Sequence, residues 1–121
     1  MKKVLIIDDE SDIVEILSNW IGEFGYESDN VSDVESAIKL LSENDYYSVF
    51  CDLKMPGKTG VDLLCYIEET FPDLIRRFVL ITGTIIDESL EARIQEQGAY
   101  ILEKPFILKE LKQIVNSFES D

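Results

Sequence analysis

Val4-Leu5-Ile6-Ile7-Asp8-Asp9-Glu10 is the stretch on which the fold turns. Four apolar residues in a row, mostly β-branched, read as a strand buried on both faces. Acids follow at once, so the buried run ends in charge. Two more runs have the same form: Tyr47-Ser48-Val49-Phe50-Cys51 ending at Asp52, and Phe78-Val79-Leu80-Ile81 ending at Thr82-Gly83-Thr84. A shorter one, Tyr100 to Leu102, leads to Lys104-Pro105, and a weak one falls around Tyr26 to Asn30.

Amphipathic segments separate these strands. Ile13, Ile16, Leu17, Trp20, Ile21 and Phe24 recur at helical spacing, with Ser11 or Asp12 to start the helix and Gly25 to end it. Ser32 and Glu35 form a capping-box pattern ahead of Val34, Ala37, Ile38 and Leu41. Met55-Pro56-Gly57 breaks the chain, and Thr59 caps a third helix carrying Val61, Leu64, Ile67 and Phe71 that stops before Pro72. Asp87 to Gln97 gives a fourth helix with a thin apolar face of Leu90, Ala92 and Ile94, ended by Gly98. The last helix carries Ile107, Leu108, Leu111, Ile114, Val115 and Phe118, and only Glu119-Ser120-Asp121 follows.

Alternating strands and helices predict an α/β domain over residues 1–121, a five-stranded parallel sheet covered on both faces. Right-handed crossovers make it doubly wound and flavodoxin-like, with strand order 2-1-3-4-5. Sites in such sheets lie at the carboxyl ends of the strands. Those ends are Asp8-Asp9-Glu10, Asp52, Thr82 and Lys104.

Three carboxylates brought within a few ångströms repel one another by several kcal/mol at an intermediate dielectric. Either one stays protonated or a cation enters. Carboxylates, water and a backbone carbonyl are the oxygen-rich set that Mg²⁺ prefers. A lysine beside the metal would neutralise an incoming phosphoryl group, and a threonine hydroxyl can donate to one of its oxygens. An ionised carboxylate can attack phosphorus to give an acyl phosphate. Taken singly, an Asp after a strand is usually a cap, a Lys-Pro pair a turn and a strand-end Thr a neutral choice. Their succession over consecutive strand ends is what carries the signal.

The 121 residues hold 25 Asp plus Glu against 11 Lys plus Arg, a net charge of −14. Such a chain repels phosphate backbones and anionic membranes, so no direct nucleic-acid or membrane binding is expected. Cys51 and Cys65 lack metal-ligand spacing and read as small core residues in a reducing, cytoplasmic setting. There is no His, which excludes Ser-His and Cys-His nucleophile systems.

The stretches Val4 to Glu10, Asp52-Leu53-Lys54-Met55-Pro56-Gly57 with Gly60, Ile81-Thr82-Gly83, Gly98-Ala99 and Lys104-Pro105-Phe106 resemble the receiver domains of bacterial response regulators. The resemblance covers essentially the whole chain. It implies a phosphoacceptor in two-component signalling rather than a turnover enzyme. Asp52 would be the phosphoacceptor, Thr82 the switch hydroxyl and Lys104 the partner of the phosphoryl group. Asp8 and Asp9, with Asp52 and the backbone carbonyl of Lys54, would hold Mg²⁺. The resemblance also implies a cis Lys104–Pro105 peptide.

The implied donor is a phosphohistidine on a histidine kinase or histidine phosphotransfer protein. The implied output surface is that of the fourth helix, fifth strand and fifth helix, toward a downstream protein or effector domain. The chain would be either a stand-alone receiver or a piece of a longer protein, with no effector domain in these residues. One position departs from the pattern: Ile101 stands where the family usually has Tyr or Phe. Either Tyr100 substitutes through a register change or the aromatic step is absent.

Three rival readings fare worse. A haloacid-dehalogenase-type phosphatase needs Asp-x-Asp-x-Thr/Val after its first strand, which Asp8-Asp9-Glu10-Ser11-Asp12 does not supply. A flavodoxin-like electron carrier needs a Ser/Thr/Gly loop for its phosphate, and an acidic loop would repel one. A degenerate receiver acting through dimerisation is disfavoured by the intact Asp8, Asp9, Asp52, Thr82 and Lys104.

Overall fold

The computed structural model describes residues 2–119; Met1, Ser120 and Asp121 lie outside it. The element order is β1 (Lys3–Ile7), α1 (Ser11–Glu23), β2 (Glu27–Val31), α2 (Val34–Glu43), β3 (Ser48–Asp52), α3 (Gly60–Thr70), β4 (Phe78–Thr82), α4 (Glu88–Glu96), β5 (Tyr100–Glu103) and α5 (Leu108–Glu119). All five strands form one parallel sheet in the order β2-β1-β3-β4-β5. The expected architecture is therefore the observed one.

Strand alternation divides the core in two. Leu5, Ile7, Val49, Cys51, Phe78 and Leu80 face Ala37, Leu41, Leu63, Leu64, Ile67 and Ile94 from α2, α3 and α4. Val4, Ile6, Phe50, Val79, Ile81 and Leu102 face Leu17, Ile21, Leu111, Val115 and Phe118 from α1 and α5. Burial on both faces is why β1, β3 and β4 are written almost wholly in apolar residues. Edge strand β2, Glu-Ser-Asp-Asn-Val, is the polar exception and lies one residue later than its sequence suggests.

The helix starts hold most of the differences from expectation. Helix α1 begins after Glu10 with no side-chain cap, so Ser11 and Asp12 lie inside its first turn. Helix α2 is capped by Asp33, whose carboxylate accepts the Ser36 amide at 2.7 Å, so the Ser32/Glu35 box is one residue out of register. Thr59 does cap α3, in a reciprocal box with Asp62. Beyond α3 a 3-10 helix, Pro72–Arg77, with no counterpart among the expected elements, leads into β4. Ala92 is exposed on α4, leaving Ile94 as that helix's buried anchor with Leu90 half-buried. Cys51 is buried as expected, whereas Cys65 is only half-buried, its sulfur accepting from Arg93 of α4 at 3.3 Å. Gly25 and Gly98 end α1 and α4 with φ of 93° and 88°, the left-handed region that favours glycine. Among the described residues no helix is long and apolar enough to cross a membrane.

Candidate functional site

The carboxyl ends of β1, β3, β4 and β5 deliver Asp8, Asp52, Thr82 and Lys104 to one edge of the sheet. Pairing fixes this alignment: Cys51 lies opposite Ile7, Ile81 opposite Asp52, and Glu103 opposite Thr82. Asp8, Asp52 and Thr82 are buried, at 2%, 6% and 2% exposure, while Asp9 and Glu10 are exposed. Burying two carboxylates side by side is unfavourable unless something compensates their charge.

Lys104 supplies part of that compensation. Its Nζ donates to Asp52 Oδ2 at 3.1 Å and to Glu10 Oε1 at 2.9 Å, and lies 3.4 Å from Asp8 Oδ2. Burial alone would lower the Lys104 pKa. The hydrogen bonds to Glu10 and Asp52 and the charges of Asp8 and Asp52 outweigh it and hold the ammonium above the usual lysine range. Its backbone N–H donates to the Thr82 carbonyl at 2.7 Å, and the Lys104–Pro105 peptide is cis.

The balance at Asp8 tips the other way. Burial raises its carboxyl above the usual range, against the Glu10 amide and Lys104 ammonium, and the Asp52 charge adds to the rise. Asp8 Oδ1 accepts that amide at 2.9 Å, but buried Oδ2 accepts no hydrogen bond. One oxygen from each of Asp8, Asp9, Glu10 and Asp52 lies within 4.8 Å of the others. Two carboxylates that far apart repel by roughly 3–4 kcal/mol at an effective dielectric near 20. An unsatisfied buried oxygen in an all-oxygen acidic ring fits a hard divalent cation such as Mg²⁺.

The loop after β3 closes the pocket from the other side. The Lys54 amide donates to Asp52 Oδ1 at 3.3 Å, while its side chain is exposed. Gly60 packs so tightly here that a Cβ would stand 2.6 Å from Leu80 Cδ1 and 2.7 Å from the Asp52 carbonyl oxygen. Below the pocket, burial and then the Asp52 and Asp8 charges push the Cys51 thiol up, so it stays a protonated core group. The Thr82 hydroxyl is turned to its own loop, donating to the Thr84 carbonyl at 2.9 Å and accepting the Thr84 amide at 3.1 Å.

All the residues singled out in the sequence thus come to one edge, with Lys54 contributing backbone and Thr82 facing Thr84. Glu10 was not singled out. Its signal was its place in the acidic run, but the contact with Lys104 spans 94 positions and needs the fold to be visible. Ile101 packs on the α2–α4 side of the sheet, while Tyr100 packs its ring on Phe118 at 5.4 Å on the opposite side. Tyr100 therefore does not take over the Ile101 position by a shift of register.

This sheet, with acids at the ends of two inner strands and a lysine after edge strand β5, belongs to a known class. The chain is a member of the response regulator receiver domain family, whose family model matches residues 4–116. The function of that class is two-component signalling. Among similar proteins, the response regulator PilR of Pseudomonas aeruginosa is 30% identical over 115 residues, covering 94% of this chain and 25% of PilR. The chain thus spans about a quarter of that relative's length. The solution structure of the beryllofluoride-activated NtrC4 receiver domain dimer is 33% identical, covers 99% of this chain and 98% of that one, and superposes with a TM-score of 0.86. The crystal structure of TrrA from Thermotoga maritima in complex with Mg²⁺ and beryllofluoride is 29% identical, covers 98% and 99%, and has a TM-score of 0.83.

Proposed function

We propose that Asp52 accepts a phosphoryl group from a phosphohistidine on a histidine kinase or phosphotransfer protein, and that the resulting acyl phosphate shifts the conformation that partners recognise. The observation that carries this reading is the pairing of Lys104 with Asp52 and Glu10 beside an Asp8 oxygen that accepts no hydrogen bond. That arrangement leaves an acidic oxygen to meet a divalent cation and an ammonium that an arriving phosphoryl oxygen can recruit.

A carboxylate oxygen of Asp52 attacks phosphorus; the P–O bond forms as the P–N bond to histidine breaks, and the imidazole leaves with the electron pair. Asp8, Asp9 and Asp52, with the Lys54 carbonyl, would hold Mg²⁺, which when bound neutralises acidic and phosphoryl oxygens. Lys104 stays protonated and turns from the carboxylates to a phosphoryl oxygen. The Thr82 hydroxyl exchanges Thr84 for another such oxygen, and the loop after β4 moves with it. These contacts exist only in the phosphorylated form, so they shift the balance between two conformations. The output is read on the surface of α4, β5 and α5.

Intact mass after incubation with acetyl phosphate tests the reading. The expected result is a gain of one phosphoryl group that requires Mg²⁺ and is absent in Asp52→Asn. An unchanged gain in that variant, or none in the natural protein, would overturn it.

A further inference from the structure

Three of the molecule's surface clefts run together along the outer side of β5. One, of about 510 Å³, lies between α4 and β5; a second lies between β5 and α5; a third leads from the first toward Thr82 and Lys104. The first two share Ile101, and Glu103 lines all three. β5 is an edge strand, so the outer side of its backbone pairs with no other strand. The floor of this surface is apolar, with Ile86, Ile101 and Ile114 half-buried. Its rim is acidic, with Glu91, Glu103 and Glu110 all exposed.

Among the described residues no cation neutralises that rim. Among the described residues Glu91, Glu103 and Glu110 form no ion pair. Lys104 reaches the third cleft, but its ammonium is engaged by Glu10 and Asp52. The Arg93 side chain points to α3, where it meets Glu68 and Cys65. Lys109 and Lys112 line none of these clefts. An apolar floor rimmed by Glu91 and Glu103, which form no ion pair, and by Glu110, whose Oε1 accepts the Ile107 amide at 3.0 Å, selects one kind of occupant, a side chain that is apolar and flanked by cations.

Resting on the output surface proposed above, we propose that the α4–β5–α5 surface docks a basic, apolar-tipped segment of a partner protein, and not a second copy of this chain. A twofold interface centred on these clefts would set Glu91 and Glu103 against their own counterparts, with no lysine or arginine lining the two clefts beside β5 to meet them. A Leu or Phe between Lys or Arg residues would instead fill the cleft over Ile86 and Ile101 and place cations on the rim.

The test maps amide shifts of the labelled full chain with two peptide pools, before and after loading with beryllofluoride and Mg²⁺. One pool carries Lys and Arg around Leu or Phe; the other is its Glu counterpart. The expected result is a saturable shift at Ile86, Glu91, Ile101 and Glu103 with the basic pool alone, weakened at least tenfold in Glu91→Lys/Glu103→Lys. Sedimentation of the loaded protein should show a monomer. Three outcomes would overturn the proposal: shifts centred on the acids of α1, which mark a general polyanion; equal binding of the acidic pool; or a dimer that the same double variant dissolves. Phosphoryl uptake is measured separately. The double variant should keep it, and a natural chain that takes up none while still binding the basic pool would sink the phosphoacceptor reading alone.

Discussion

The two ends of the parallel sheet treat their polar groups in opposite ways. At the amino end most are partnered, the buried Gln97 Oε1 ahead of β5 being an exception. Ser48 donates to the Arg77 carbonyl at 2.6 Å, Tyr46 donates to Asp29 at 2.7 Å, and the Tyr47 ring lies between Lys2 and Arg77 at 4.3 and 4.8 Å. At the carboxyl end Asp8 and Asp52 are buried beside one ammonium, and Asp8 Oδ2 accepts no hydrogen bond, with the Lys104 ammonium 3.4 Å away. Native structures satisfy nearly all buried polar groups. A cluster left short of partners beside a well-satisfied counterpart marks the end where stability has been traded for a ligand.

The contrast can be pressed hardest at Lys104. In Lys104→Ala, phosphoryl uptake from acetyl phosphate should slow by roughly 10²-fold, since charge compensation at the phosphoryl oxygens is lost. The same variant should bind Mg²⁺ about tenfold more tightly by calorimetry, about 1.4 kcal/mol, because no ammonium competes for Asp8 and Asp52. Weaker Mg²⁺ binding would mean that the lysine supports the metal site instead of opposing it.

Gly60 tests how rigidly the carboxyl end is held. Gly60→Ala should destabilise the protein by about 2 kcal/mol in urea denaturation and reduce uptake, because the new methyl group presses on Leu80 and the Asp52 backbone. Normal stability and uptake would show that the loop after β3 yields easily. Ser48→Ala probes the other end. It should cost about 1 kcal/mol and leave uptake unchanged; a change in uptake would mean the two ends are coupled.

The smallest effect expected is a slope. The folded protein binds the Asp8 proton more tightly than the unfolded chain does, so this group's contribution to stability falls as pH rises above the ordinary carboxylate range. In metal-free buffer Asp8→Asn should therefore be more stable than the natural protein at neutral pH. The gap should close as pH falls toward about 4, where both states of the natural chain take up the proton. A gap that ignores pH would place the origin of the difference elsewhere.

The same contrast explains what could be read from the sequence. β1, β3 and β4 were legible because burial on both faces writes them as continuous apolar runs. The site was legible because a parallel sheet lines up strand ends, so Asp8, Asp52, Thr82 and Lys104 needed no long-range contact to be grouped. Other features depend on geometry that residue types do not encode. Ser32 and Asp33 are both good caps, and only the backbone decides that Asp33 meets the Ser36 amide. The 3-10 helix Pro72–Arg77 has no period of its own to betray it. Glu10 reads only as the last acid of the run after the first strand until β5 brings Lys104 to it.

The claim that Asp52 is the phosphoacceptor is tested most directly by locating the acyl phosphate. The protein is incubated with acetyl phosphate and Mg²⁺, reduced with borohydride to convert any aspartyl phosphate to homoserine, and digested for peptide mass spectrometry. Homoserine at position 52 alone is the predicted result. Homoserine at Asp8 or Asp9, or an unmodified Asp52 in protein whose intact mass shows the added phosphoryl group, would contradict it.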